Sequence, residues 1–399
     1  MNYPSIRDLD TGGRKVFLRA DLNVPLESGR IADDTRIMAM LPTLRKLLDS
    51  GSPVILASHL GRPKGEVVPA LSLKPIAEKI AGITGMNVLF APGCKGPSVR
   101  EMVDGLEPGS VLVLENLRFD PGETGCDEAF ARELASLAGV YVNDAFGTCH
   151  RKHASMYGVP LELGGGYAGF LVERELEVFG KIVSAPERPF TVLLGGAKVS
   201  DKLPVIRNLL DKVDNLLVGG GMAFTFLRAM GREVGKSIVE DDILYTAARL
   251  IEEARNMGVN MVLPYDIVVA HSQAEGAYAR NVSIDSIPPD QAGLDIGSET
   301  AEAFAGVIRK SGTVLWNGPM GLFEVPPFDN STRIIAATLA EATMKGVTTV
   351  VGGGDTVRAV AESGVVNRLS WVSTGGGASL MLLEGKELPA MAALRGARV

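Results

Sequence analysis

Short apolar runs alternate along this chain with amphipathic stretches. Lys15-Val16-Phe17-Leu18, Val54-Ile55-Leu56-Ala57, Val88-Leu89-Phe90, Val111-Leu112-Val113-Leu114 and Val140-Tyr141-Val142 are each brief and rich in β-branched residues, and each is bounded by polar, Gly or Pro positions. Between them the apolar positions take a helical period. Ile37, Met40, Leu41, Leu44, Leu47 and Leu48 follow 3.6 spacing and stop at Gly51. Pro42 falls inside that pattern, which predicts a helix that begins late or kinks there. Strands alternating with helices predict a parallel sheet covered on both faces. A longer helical pattern follows from Phe170 to Ser184, with Phe170, Leu171, Leu176, Val178, Phe179 and Ile182 apolar, and Ala185-Pro186-Glu187-Arg188-Pro189 ends it. A helix between two α/β halves suits hinge bending, and an ordinary covering helix gives the same pattern. The alternation then restarts, with apolar runs at 190–194, 216–218, 261–263, 313–316, 348–351 and 370–372.

The chain has 399 residues, more than one core usually supports, so two domains are expected. The predicted fold is α/β, two doubly wound parallel-sheet (Rossmann-like) domains joined by a hinge helix. The boundaries read as 1–169, 170–185 for the helix, 186–384, and a tail over 385–399. The net charge of −7 argues against a nucleic-acid binder carried by bulk charge, and leaves room for a local basic pocket. The three cysteines, Cys94, Cys126 and Cys149, form no CxxC pair, which disfavours a disulfide framework or structural zinc and favours a reducing compartment. Met1 to Asp10 is polar, and no run of about 18 apolar residues is found. A soluble, cytoplasmic protein is expected.

Ligand sites in such sheets lie beyond the carboxyl ends of the strands. The first, second, fourth and fifth runs are followed there by Arg19-Ala20-Asp21-Leu22-Asn23-Val24-Pro25, by Ser58-His59-Leu60-Gly61-Arg62-Pro63, by Glu115-Asn116-Leu117-Arg118-Phe119 and by the 143–151 stretch ending in His150-Arg151. An Arg stands at or just past four of these five ends, and Arg36 opens the next helix. Each alone reads as a solvated or salt-bridged residue. Their recurrence on one rim suits a small, multiply charged anion, phosphate or carboxylate. His59 and Asn23 add donors, and Asp21 offers an acceptor or holds an Arg in place.

In the second half glycine turns follow several runs: Gly195-Gly196, Gly219-Gly220-Gly221, Gly318, Gly352-Gly353-Gly354 and Gly375-Gly376-Gly377. The segment Val350 to Thr356 reads as a strand, a glycine turn and a helix from Val357 to Glu362. Its backbone N–H groups suit phosphate, and Asp355 adds a carboxylate where phosphate and a hard cation such as Mg²⁺ would meet. A tight turn capped by Asp355 or Thr356 explains the same residues. Lys198 and Lys202 are four apart, so on a helix they share one face and reach toward a transferring phosphoryl group. No Walker A is present; Gly231 to Ser237 is one residue short and reads as a surface loop. Gly164 to Gly169 fits G-x-G-x-x-G by letter but lacks the strand context, and reads as a flexible lead into the next helix. His150 and His153 lack a third metal ligand.

Arg-Ala-Asp-Leu-Asn-Val-Pro at 19–25, Ser-His-Leu-Gly-Arg-Pro at 58–63 and Glu-Asn-Leu-Arg-Phe at 115–119 resemble signature segments of phosphoglycerate kinase. So do Gly-Gly-Ala-Lys-Val-Ser-Asp-Lys at 195–202, Trp-Asn-Gly-Pro-Met-Gly-Leu-Phe-Glu at 316–324 and Gly-Gly-Asp-Thr at 353–356. The resemblance covers essentially the whole chain. It implies that Asp21, Asn23, Arg36, His59, Leu60, Gly61, Arg62, Arg118 and Arg151 hold 3-phosphoglycerate or 1,3-bisphosphoglycerate. It implies that Gly196, Lys198 and Lys202 contact nucleotide, Lys202 on the phosphates, with Gly293 near the base and Glu324 on the ribose. Asn317, Gly353, Gly354, Asp355 and Thr356 would line the phosphate path, with Asp355 as the Mg²⁺ carboxylate. Arg36 and Lys202, with Gly375 and Gly376 facing the transfer site, are the implied catalytic residues. It further implies a monomer and a tail that packs on the first domain. Lys152 stands where the family more often has a small residue, and is expected to point to solvent.

The expected reaction is reversible phosphoryl transfer between ATP and the carboxylate of 3-phosphoglycerate. A carboxylate is already ionised at neutral pH, so no catalytic base is needed. Positioning and charge neutralisation remain, and domain closure would supply both and exclude water. A nicotinamide-dependent dehydrogenase and a non-catalytic anion-binding protein are the rival readings; ATP-dependent product formation separates all three.

Overall fold

The computed structural model describes residues 3–27 and 29–399; Met1 and Asn2, the start of the polar N-terminus, and Ser28 lie outside the described residues. The chain divides into two compact units, Met1–Glu177 with Glu387–Val399, and Val178–Lys386.

The first unit is built on six strands, β1 (Val16–Ala20), β2 (Val54–Ala57), β3 (Val88–Phe90), β4 (Val111–Val113), β5 (Val140–Asp144) and β6 (Tyr167–Ala168), in the order β3-β4-β2-β1-β5-β6. Every pairing is parallel. β1 is buried at all five positions, as a central strand covered on both faces must be. Its register sets Arg19 beside Ala57 and Asn143, so the loops after β1, β2 and β5 leave from one edge. Helix α1 (Thr35–Asp49) packs Ile37, Met40, Leu41, Leu44 and Leu47 into the core. It runs through Pro42 rather than beginning after it.

A further expectation is corrected here. Val159–Glu162 is helical, and the glycines after it lead into β6, the sixth strand, before helix α2 (Phe170–Ser184). They are not a flexible lead. A methyl group on Gly166 would strike Tyr141, and one on Gly169 would strike the Asp144 carboxylate, so close packing requires glycine at both. The division between the units falls inside α2, between Glu177 and Val178. The stretch Glu387–Val399, with its helix Pro389–Leu394, groups with the first unit, where the Ala390 amide donates to the Cys149 carbonyl at 3.2 Å.

The second unit carries β7 (Phe190–Leu194), β8 (Asn215–Val218), β9 (Asn260–Val262), β10 (Asp266–Ala270), β11 (Arg280–Ser283), β12 (Ala292–Ile296), β13 (Thr313–Asn317), β14 (Thr348–Gly352) and β15 (Trp371–Val372). Its main sheet, ordered β9-β8-β7-β13-β14-β15, is parallel throughout. Leu194 pairs with Val218 and with Asn317, and Asn317 pairs with Gly352. Four strands therefore end level, and the turns at Gly195, Gly219, Gly318 and Gly353 share one edge. A separate antiparallel sheet, β11-β10-β12, adds a satellite core of Phe224, Leu227, Val234, Ile267, Val269 and Ile287. Its central strand carries an apolar run, Ile267-Val268-Val269-Ala270, that was not among the expected strands.

Candidate substrate and nucleotide sites

In the first unit the predicted acid-binding residues are tied together by their own loops. Arg36 forms an ion pair with Asp21, whose other oxygen accepts the Asn23 amide at 3.2 Å. Asn23 accepts the Gly61 amide at 2.8 Å, and the Arg118 guanidinium donates to the Gly61 carbonyl at 2.7 Å. Leu60 is fixed by Asn116, which accepts the Leu60 amide at 3.2 Å and donates to its carbonyl at 2.7 Å. Arg62 follows as an exposed side chain. Arg151 donates to His150 at 3.2 Å.

The charge in this cluster is uneven. Burial, then the charges of Arg151 and Arg19, push the Arg118 guanidinium down to about 10. Burial and neighbouring guanidinium groups hold His59 well below the usual imidazole range, and bring His150 to about 4 and His153 to about 3. The imidazoles are therefore neutral near pH 7. Arg118 Nε, His150 Nδ1 and His153 Nδ1 are buried without a hydrogen-bond partner. A buried, crowded set of cations with unused donors favours an incoming anion.

Arg19 departs from the rim expectation. It is fully buried beneath these loops rather than at their surface. Lys152 is exposed but engaged, not free in solvent: its ammonium donates to the Val399 carbonyl and lies 5.4 Å from the centre of the Tyr157 ring.

In the second unit a pocket of about 370 Å³ opens at the glycine edge. Gly196, Gly293, Glu324 and Asp355, all among the expected nucleotide residues, line it, and so do Phe224 and Lys236, which were not among them. The 231–237 loop is thus more than surface. Ser237 accepts the Gly293 amide at 2.9 Å, and Lys236 reaches the pocket wall. A side chain at Gly220 would lie 2.6 Å from the Gly196 amide nitrogen, at a positive φ of 64°, so two glycine turns close on each other there. A methyl group on Gly293 would strike the Phe224 ring.

Lys198 and Lys202 do not share a helix face. The helix α3 (Leu203–Leu209) starts after both, and Lys202 is its N-cap. Lys202 donates to Asn317, and burial lowers its ammonium pKa against the pull of Asp201 and Asp355. Lys198 is exposed and acts on Glu240. Asn317 Nδ2 is buried without a partner, close to Gly353. Gly353 is the N-cap of helix α4 (Gly354–Glu362) at φ 93°, so Asp355 sits in the first turn and neither it nor Thr356 caps the helix. Thr356 instead accepts the Gly318 amide at 2.6 Å. Helix α5 (Gly376–Leu383) opens at Gly375, and a side chain at Gly376 would come 3.3 Å from the Gly354 amide. Two glycine-started helix N-termini therefore meet beside Lys202, Asn317 and Asp355. That suits phosphate oxygens.

Asp355 is exposed and makes no hydrogen bond or ion pair among the described residues. No three candidate metal-ligating side chains cluster among those residues. One free carboxylate at a phosphate site fits Mg²⁺ carried in by a nucleotide, which keeps most of its waters, better than a resident ion.

A model of the phosphoglycerate kinase family matches residues 6–386. Among solved structures, phosphoglycerate kinase from Coxiella burnetii is 36% identical with a TM-score of 0.86, the match covering 98% of this chain and 99% of that one. Phosphoglycerate kinase from Pyrococcus horikoshii OT3 is 30% identical with a TM-score of 0.84, covering 98% of each chain. With its sheets, acid cluster and glycine-edged pocket in place, the chain belongs to the phosphoglycerate kinase family.

Proposed function

We propose that the chain catalyses reversible phosphoryl transfer between ATP and the carboxylate of 3-phosphoglycerate, the reaction of its family in glycolysis. The observation that carries the acid-binding half is the first unit's cluster: Arg118, crowded by Arg151 and Arg19 and left with an unused buried donor, beside Arg36, His59 and Asn23. Arg62 and Arg151 complete the set that would hold the acid's phosphate and carboxylate. The second unit would take the nucleotide, with Gly293 against the base, Glu324 on the ribose, and Lys202, Asn317 and the Gly353–Thr356 and Gly375–Gly376 turns on the phosphates.

The carboxylate is its own nucleophile, so the protein's residues need move no proton. Their work is to align donor and acceptor and to neutralise charge on the moving phosphoryl group. Arg36 and Lys202 are the cations assigned to that, and the chemistry requires the two substrates to meet during turnover. Asp355 would hold Mg²⁺, which supplies charge neutralisation on the nucleotide phosphates when bound. No helix among the described residues is long and apolar enough to cross a membrane. A monomer in the cytoplasm is the state we assign. Acyl-phosphate trapping tests the reaction: with 3-phosphoglycerate, ATP and Mg²⁺, hydroxylamine should capture a hydroxamate. Hydroxamate formation without 3-phosphoglycerate, or none with all three, would refute it.

A further inference from the structure

Arg19 carries a guanidinium to a position with no solvent exposure. An uncompensated buried cation is strongly destabilising, yet every side of this one is engaged. Nε donates to Ser155 Oγ at 2.8 Å, one terminal nitrogen donates to the Ala20 carbonyl, and the other lies 3.2 Å from His59 Nδ1. Ser155 passes the compensation on. Its hydroxyl donates to Glu123 Oε1 at 2.7 Å and its amide to Oε2 at 2.9 Å. Glu123 is itself fully buried. Arg19 is thereby held in one orientation against the imidazole.

A guanidinium has donors only. The His59 nitrogen facing it must therefore accept, which leaves the ring proton on Nε2. The same contact excludes the imidazolium, whose two nitrogens are both donors. Burial and the charges of Arg19, Arg118, Arg36 and His153 oppose protonation as well.

We propose that Arg19 is a positioning residue of the acid site, locking His59 as the neutral Nε2–H tautomer so that its Nε2 is a fixed donor for an anionic substrate. The tautomer follows from the geometry alone; its consequence for substrate rests on the acid-binding role assigned to His59 above.

The test is a long-range ¹H–¹⁵N spectrum of the intact protein labelled with ¹⁵N-histidine. The chain has 4 histidines, and the signal absent from His59→Gln identifies His59. The expected result is a protonated Nε2 and a bare Nδ1 throughout pH 6 to 8. A protonated Nδ1, a mixture, or an imidazolium at pH 6 would overturn the proposal. Arg19→Met combined with Glu123→Gln removes both buried charges. It should give mixed tautomers and raise KM for the acid substrate about tenfold, with kcat within a few-fold. Ser155→Ala removes the hydroxyl that orients Arg19 while leaving both buried charges, and should loosen the Nε2–H form to a mixture, so the idea stays testable if the double variant does not fold; a pure Nε2–H form in that variant would count against it. Retention of the Nε2–H form in the folded double variant would mean that Arg19 does not set it. Mixed tautomers with unchanged KM would overturn the positioning role and place the fault in the assignment of His59 to the acid site.

Discussion

Lys202 shows how much of the chemistry rests on single groups. Its ammonium is largely buried and bonded to Asn317, whose own amide nitrogen has no partner. A phosphate oxygen would satisfy both at once. Lys202→Ala should therefore lower kcat by roughly 10²–10³, while 3-phosphoglycerate still binds, because the loss falls on charge that develops during transfer. Unchanged turnover would remove Lys202 from the mechanism. Arg62 is the contrasting case, an exposed guanidinium beside Gly61 with no side-chain hydrogen bond or ion pair to lose among the described residues. Arg62→Ala should raise KM for the acid about tenfold and leave KM for ATP alone. An effect confined to ATP would mean that the acid does not bind at this rim.

At the scale of elements, the start of α2 is anchored by one carboxyl. Asp144 accepts the Leu171 and Val172 amides at 2.9 and 3.4 Å, and Thr43 accepts the Phe170 amide at 2.9 Å. Burial pushes Asp144 up to about 7 against those bonds, from an ordinary 3.8. The folded state thus holds this proton more tightly than the unfolded chain. Its contribution to stability is complete below about pH 4 and is lost as pH rises through 7. Asp144→Asn keeps the acceptor and cannot ionise. Its unfolding free energy, from urea titration, should match wild type near pH 4 and exceed it at pH 8 by up to about 4 kcal/mol in the first unit. A gap that is the same at both pH values would contradict this account. The strands of the two main sheets were legible because each is short, apolar and β-branched. β6 was not, because two residues flanked by glycines carry no period. β11 was missed because Arg280 to Ser283 is mostly polar, and β12 because Gly293 and Asp295 interrupt its apolar pattern; the apolar run of β10, Ile267 to Ala270, was legible but not read as a strand. The residues assigned to the acid were readable as motifs. Arg19 looked like one more rim cation, and only the register of β1 reveals that it lies below the rim. The Lys198–Lys202 spacing misled because four residues imply one face only where a helix exists, and α3 begins at Leu203.

Across the whole molecule, a net charge of −7 coexists with the arginine cluster proposed to hold a polyanion. The local arginines must therefore override the overall field, and salt should weaken them. Raising ionic strength from about 0.05 to 0.2 M should increase KM for the acid several-fold. KM for the nucleotide should move less, because the proposed phosphate contacts are backbone amides as well as Lys202. Equal salt responses would argue against this division of labour. The central claim is that the two units serve one phosphotransferase, and a coupled assay tests it most directly. Protein, 3-phosphoglycerate, ATP and Mg²⁺ are combined with glyceraldehyde-3-phosphate dehydrogenase, and 1,3-bisphosphoglycerate is read as NADH loss. The account predicts a signal that requires every addition. Folded protein that binds ATP yet gives no NADH loss with all of them present would contradict it.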